Sequence, residues 1–128
     1  MSEPSDDLAH ARAVVTQELA SLFSVLSHPD RIRIIEELRA QECDVQSLAD
    51  NIDVRQTRVS QHLAQLRAHR LVKMRRDGRH VFYRLASPPL ARWLLKGVIF
   101  IEPELVHEEN IHDAVEQALE DWSEGVAK

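Results

Sequence analysis

The sequence predicts a mainly α chain with one small β-hairpin, an α+β class in which about six helices flank a short ribbon. Three observations predict it. Apolar residues recur at three- and four-residue steps through 5–28 and again through 44–70, the spacing of one helix face. Between Val72 and Leu85 that spacing gives way to alternation of apolar and polar residues, the period of a strand. The alternation is interrupted by Arg76-Asp77-Gly78-Arg79, and Asp-Gly is a strong hairpin signal because both central positions of such a turn favour positive φ. The 128 residues are one domain's worth of chain, 1–128, with 44% hydrophobic and 29% charged residues, a globular composition.

The first helix, 5–28, starts from Ser5 as N-cap with Asp6 and Asp7 in the first turn, and Leu8, Ala11, Val15, Leu19, Leu22 and Leu26 form its apolar stripe. It is expected to stop near His28, because Pro29 disfavours helical geometry at the residue before it. Pro29 suits the first turn of a second helix capped from Ser27, with Ile32, Ile35 and Leu38 inward. Asp44 is placed to cap a short third helix through Val45, Leu48, Ala49 and Ile52, and Asp53 to cap a fourth that buries Val59, Leu63 and Leu66. Two helices across a tight connection, 44–70, make a helix-turn-helix, and the hairpin at 71–86 is a wing beside it. Pro88 and Pro89 open the C-terminal helices, 88–124. The first of these, with Leu90, Trp93, Leu94, Val98 and Ile101, is apolar over most of its circumference and is expected to bury a second face. Glu102-Pro103 breaks it. A last helix then turns Leu105, Ile111, Val115, Ala118 and Trp122 inward and its acids outward.

A formal net charge of -5 conceals an uneven distribution. From 54 to 84, Arg55, Arg58, Arg67, Arg70, Lys73, Arg75, Arg76, Arg79 and Arg84 stand against Asp77 alone, while 102–128 holds nine acids against Lys128. A basic middle between acidic ends is either a solvated face or the footprint of a polyanion partner. The fourth helix favours the second: Thr57, Arg58, Gln61 and Gln65 form a polar stripe opposite the buried one, and Ala64 and Ala68 leave room for close approach to a groove. Arg reads guanine edges and Gln adenine edges through paired hydrogen bonds, and Gln56, Ser60 and His62 flank the stripe as candidate phosphate contacts. Arg75, Arg76, Arg79 and His80 are candidates for phosphate or minor-groove contact from the hairpin. The sequence thus points to a partner of double-stranded DNA, with 11 candidate contacts in all.

LSHPDRIRIIEEL, VRQTRVSQHLAQLRAHRLV and RRDGRHVFYRL resemble the ArsR/SmtB family of winged helix-turn-helix repressors, from about Leu22 to Leu85. The resemblance implies a homodimer on an operator with two half-sites, repression of nearby genes, and release by an inducer. It also implies that the first helix and the apolar 90–101 stretch build the dimer. The family's familiar sensor sites are not matched: its Cys-x-Cys pair falls on Asp44 and Gln46, and its last-helix metal site falls on Ser87, Pro89, Phe100 and Pro103, none of them a zinc-type set.

Two other features bear on a sensor. Cys43, the only cysteine, precedes the third helix, but Glu42 and Asp44 beside it would raise its pKa, and a redox role lacks a second thiol within the chain, so a buried small hydrophobe is the favoured reading, with a pair between two subunits as the redox alternative. His107, Glu108 and His112 lie near the start of the last helix, where Glu108 and His112 share a face that is able to chelate a divalent metal ion, with His10 or a partner subunit completing the set. No cofactor is fixed beyond that candidate metal. His28 and His69 read as helix-end residues. An alternative is a DNA-binding regulator with no inducer, controlled by its level or by a protein docking on the acidic last helix. An enzyme is not expected: there is no Gly-rich phosphate loop, no carboxylate pair in an apolar setting and no Ser or Cys near a base. The N-terminus, MSEPSDDLAHAR, lacks the basic-then-apolar order of a signal peptide, and the apolar run WLLKGVIFI is far shorter than the roughly 20 residues of a membrane span, so a cytoplasmic location is expected.

Overall fold

Helix α1 runs from Pro4 to Leu26 in a computed structural model that describes residues 4–100 and positions 113, 114, 116, 117 and 120. Ser5 lies inside α1 and is not its cap: proline needs no N–H partner in a first turn, so the helix starts one residue earlier than expected. Only the end of α1 enters the core, through Val25 and Leu26, with Leu22 packed at its margin. Leu8, Val14, Val15, Leu19 and Phe23 remain exposed, Val15 at 57%.

The second helix, α2 (Pro29–Glu37), begins at Pro29 as expected, but its N-cap is His28, in an extended conformation and without a side-chain cap bond. Ser27 is unavailable for capping because its hydroxyl donates back to the Ser24 carbonyl at 2.8 Å, closing the end of α1. The inward residues are Ile34, Ile35 and Leu38, whereas Ile32 is 42% exposed, so the buried face is rotated from the expected one.

In α3 (Val45–Ile52) the expected cap is present: the Asp44 carboxylate accepts from the Ser47 backbone N–H at 2.7 Å. Asp53 ends this helix and does not start the next. It takes the left-handed conformation at φ 56° and returns its N–H to the Ala49 carbonyl, a C-terminal role that aspartate tolerates better than most residues. Helix α4 (Gln56–Ala68) then starts from Arg55, with no side-chain cap.

The hairpin forms from β2 (Val72–Asp77) and β3 (His80–Leu85), antiparallel with Asp77 opposite His80 and Val72 opposite Leu85. Its two-residue tip is therefore Gly78-Arg79. Among those two only Gly78 has positive φ, at 62°, the φ pattern of a type II′ turn, so the expectation of positive φ at both central positions is corrected. A two-residue strand, β1 (Cys43–Asp44), pairs with the other side of β3 through Cys43–Tyr83 and Asp44–Phe82, giving the order β1-β3-β2. This third strand was not expected from the sequence.

Helix α5 (Pro89–Lys96) and a 3-10 turn at Gly97–Phe100 follow. Ala91 is buried and Leu90, Leu94 and Leu95 pack against the core, but Trp93 is 47% exposed and stacks on Phe23 of α1 at 6.0 Å. The second apolar face expected of this stretch is thus present and open, continuous with that of α1. Of the last helix, Asp113, Ala114, Glu116, Gln117 and Glu120 are helical and exposed, and its expected inward residues Leu105, Ile111, Val115, Ala118 and Trp122 lie outside the described residues. Val59, Leu63 and Leu66 of α4 interlock with Ile34 and Ile35 of α2 and Leu48 of α3, all without solvent exposure. That contact fixes how far α4 turns its opposite face outward.

Candidate nucleic-acid interface

Because the buried stripe of α4 is Val59, Leu63 and Leu66, the helical period places Gln56, Thr57, Arg58, Ser60, Gln61 and Gln65 on its exposed side, as expected. His62 is the exception. It is turned inward and 9% exposed, so it is not available as a phosphate contact. Its Nδ1 accepts from the Arg31 Nε–H at 3.1 Å, and Arg31 also donates from Nη1 to the Val25 carbonyl at 3.0 Å, which ties α1, α2 and α4 together. An acceptor at Nδ1 leaves the proton of the neutral ring on Nε2. That nitrogen is buried without a hydrogen-bond partner, 3.6 Å from Asp30 Oδ2. The same Asp30 oxygen lies 3.4 Å from Arg58 Nε, while the Arg58 side chain stays 66% exposed.

Burial, first, and the Arg31 cation, second, hold the His62 pKa below its ordinary value, outweighing the opposite pull of Asp30. His62 thus takes up its proton at a lower pH in the fold than in an unfolded chain, which takes one up below about pH 6.5. Stability from this group is full above that value and is lost as pH falls through the unfolded and then the lowered folded pKa. A His62→Gln variant keeps an acceptor for Arg31 but does not titrate. Its urea midpoint should decline less between pH 7 and pH 5 than that of the parent; equal slopes would contradict the assignment.

The wing presents its cations unequally. Arg76 and Arg79 are exposed around the tip. Arg75, expected beside them as an open contact, instead donates from its Nε and Nη2 to the two Glu42 carboxylate oxygens at 3.1 and 3.0 Å, and its guanidinium lies 4.9 Å from the Phe82 ring centroid. This fork holds the Glu42 carboxyl below the usual carboxylate range. Arg75 therefore anchors the wing to the segment before α3, a role that differs from an open tip contact. His80 is also engaged, stacked on Phe82 at 5.5 Å and 3.9 Å from Asp44. At the other end Arg67 of α4 donates to Met74 Sδ at 3.6 Å. Asp30, Arg31 and Glu42 are the residues sequence reasoning missed: Glu42 acts across 33 positions, and only the HPDR text near α2 marked the other two.

Cys43 is buried, as favoured from the sequence, and burial first, then Glu37 and Asp44, pushes its thiol up, away from thiolate reactivity. Glu42, expected to contribute, is instead turned to Arg75. Among the described residues no group of three His, Cys, Asp or Glu side chains is placed to hold a metal ion. The candidate ligands His107, Glu108 and His112 lie outside the described residues, and His10 is exposed on α1.

An outward polar helix with a cationic ribbon at its side is the arrangement of a winged helix-turn-helix, and comparison with known proteins agrees. A family model described as bacterial regulatory protein, arsR family, matches residues 28–74. The chain is 46% identical over 71 residues to a transcriptional repressor SmtB homolog of Synechocystis sp., covering 56% of this chain and 54% of that protein. It is 38% identical over 89 residues to the biofilm growth-associated repressor of Agrobacterium fabrum, covering 68% and 75%. The solution structure of the homodimeric winged helix-turn-helix DNA-binding domain of Mb0332 from Mycobacterium bovis superposes with a TM-score of 0.62 at 26% identity, over 77% of this chain and 91% of that one. The chain thus spans little more than half the length of the first of these relatives. It belongs to the arsR family and has the winged helix-turn-helix fold.

Proposed function

We propose that this protein is a sequence-specific, double-stranded DNA-binding transcriptional repressor that acts in the cytoplasm as a homodimer on a palindromic operator and is released by an inducer. The observation that carries the reading is the exposed row Gln56, Thr57, Arg58, Ser60, Gln61 and Gln65 on α4, flanked by Arg76 and Arg79 at the wing tip. In this reading α4 enters the major groove, Arg58 and the glutamines read base edges, and the wing cations bind the backbone beside it. Arg75 and His80 contribute by fixing and extending the wing, and His62 by supporting α4 from within. The open apolar faces of α1 and α5 form the dimer, so half-sites repeat at about 10 base pairs or a multiple. That two of its relatives are repressors by name supports the regulatory role.

Arg58→Ala should weaken the operator by about 1–3 kcal/mol and relax base preference at one position, whereas Arg79→Ala should weaken all DNA nearly equally and lower the salt slope by about one. Titrations on operator and scrambled duplexes at several salt concentrations separate the two. An Arg58→Ala protein with unchanged base preference would remove α4 from the groove.

A second reading, regulation without a small inducer, is favoured by Asp44, Gln46, Ser87 and Pro89 at the positions where the family's familiar sensor ligands would stand. Operator affinity measured with and without zinc, nickel, cobalt, arsenite and oxidant decides between them. A response abolished by His112→Ala would assign a divalent metal to the last helix.

A further inference from the structure

We propose that Asp30 is a positioning residue for base reading by Arg58. This rests on the reading of α4 as the groove helix. Asp30 belongs to α2, yet its Oδ2 stands 3.4 Å from Arg58 Nε and 3.6 Å from His62 Nε2, two residues four apart on α4. One carboxylate oxygen thus meets one edge of the exposed recognition face and one side chain of the buried face.

A guanidinium has five N–H donors in a rigid plane. Engaging the Nε edge towards α2 leaves the Nη donors for a base, and among the described residues those Nη atoms have no partner. Arg58 is otherwise a long exposed side chain with many rotamers, and a freely rotating arginine must be ordered when it docks. A carboxylate at its base does part of that ordering before DNA arrives. Asp30 is itself held: it sits in the first turn of α2, where an acid is favoured, and its side chain is only 29% exposed. Arg31, next to it, is fixed by bonds to His62 and Val25, so the backbone carrying Asp30 is clamped to α4 and α1. An acid so near a DNA face also repels phosphate, which a residue serving affinity alone would not do. The arrangement accordingly favours discrimination over total attraction.

The test compares Asp30→Asn, Arg58→Ala and the double variant on an operator panel in which each base pair is changed in turn, alongside random-sequence duplex as competitor. Asp30→Asn should lower the ratio of operator to random-sequence affinity by about three- to tenfold, the fold-range of ordering one rotamer-rich side chain. The relaxation should fall on the base pair that Arg58→Ala relaxes and on no other, and Asp30→Asn should add nothing further to base preference in the Arg58→Ala background. If Arg58→Ala relaxes that position while Asp30→Asn leaves it intact and merely tightens binding to all DNA, Asp30 is only a nearby charge and the proposal is overturned. If Arg58→Ala itself leaves every base preference unchanged, the reading of α4 fails and this proposal falls with it. Should Asp30→Asn not fold, Asp30→Ser supplies the same comparison: it removes the carboxylate and suits the first turn of a helix, so base preference should relax in the same way, and unchanged preference would overturn the proposal.

Discussion

Leu63→Ala is expected to lower the stability of the domain by about 2–5 kcal/mol, a large part of the 5–15 kcal/mol that holds a typical domain together. Leu63 has no solvent exposure and lies among equally buried residues of α2, α3 and α4, so truncation leaves a cavity between three helices. The surroundings are poorly placed to collapse into it. Ile34 and Ile35 are locked by the α2 backbone, and Val59 and Leu66 by α4 itself. Gln65→Ala, two positions on but outward, should change stability by no more than about 0.5 kcal/mol. Urea unfolding of the pair measures the contrast directly. A Leu63→Ala protein as stable as the parent would mean that α4 is not seated on the core as described, and the outward row from Gln56 to Gln65 would lose its basis.

Val15→Asp addresses the other exposed surface and should give an effect of comparable size on a different quantity. Val15 is 57% exposed on a face shared with Leu8, Leu19 and Phe23, and Phe23 in turn stacks on the half-exposed Trp93 of α5. Apolar side chains scattered singly on a surface need no partner, but a continuous set on two helices is the usual mark of an association face. A carboxylate placed there costs the single chain little, because Val15 makes no core contact, and should prevent a second copy from docking. Light scattering should then report a folded monomer, and the operator should be bound at least about a hundredfold more weakly, because each half-site must be held without the other. If the variant remains a dimer with undiminished affinity, the association face lies elsewhere.

How far the sequence carried these conclusions depends on the range of each interaction. Asp44 was legible as a cap because its partner, the Ser47 N–H, is three residues away. The hydrophobic stripes of α3 and α4 were legible for the same reason: a helix writes its buried face into near neighbours. Asp53 reads either way because an aspartate between two helices suits the end of one or the start of the other; its left-handed φ of 56°, with its N–H returned to the Ala49 carbonyl, makes it the end of α3. His62 stands three residues after Val59 and four before Leu66, at the margin of the buried stripe, where periodicity alone leaves a polar residue open to either side; its bond to Arg31, 31 positions earlier, holds it inside. Strand β1 has two residues, too few for alternation, and exists only because Tyr83 and Phe82 of β3 are alongside. Arg75 reads from local sequence as one more cation of the hairpin, because its partner Glu42 stands 33 positions earlier.

The order β1-β3-β2 has a further consequence for solubility. A three-stranded sheet has two open borders, and an open border invites a foreign strand to add on and the assembly to grow into a polymer. One border here is only two residues long, too short to template anything. The other runs along β2, where the exposed Lys73 and Arg76 place positive charge that a like strand from another molecule would have to approach. The arginine-rich ribbon thus doubles as a deterrent to fibril growth.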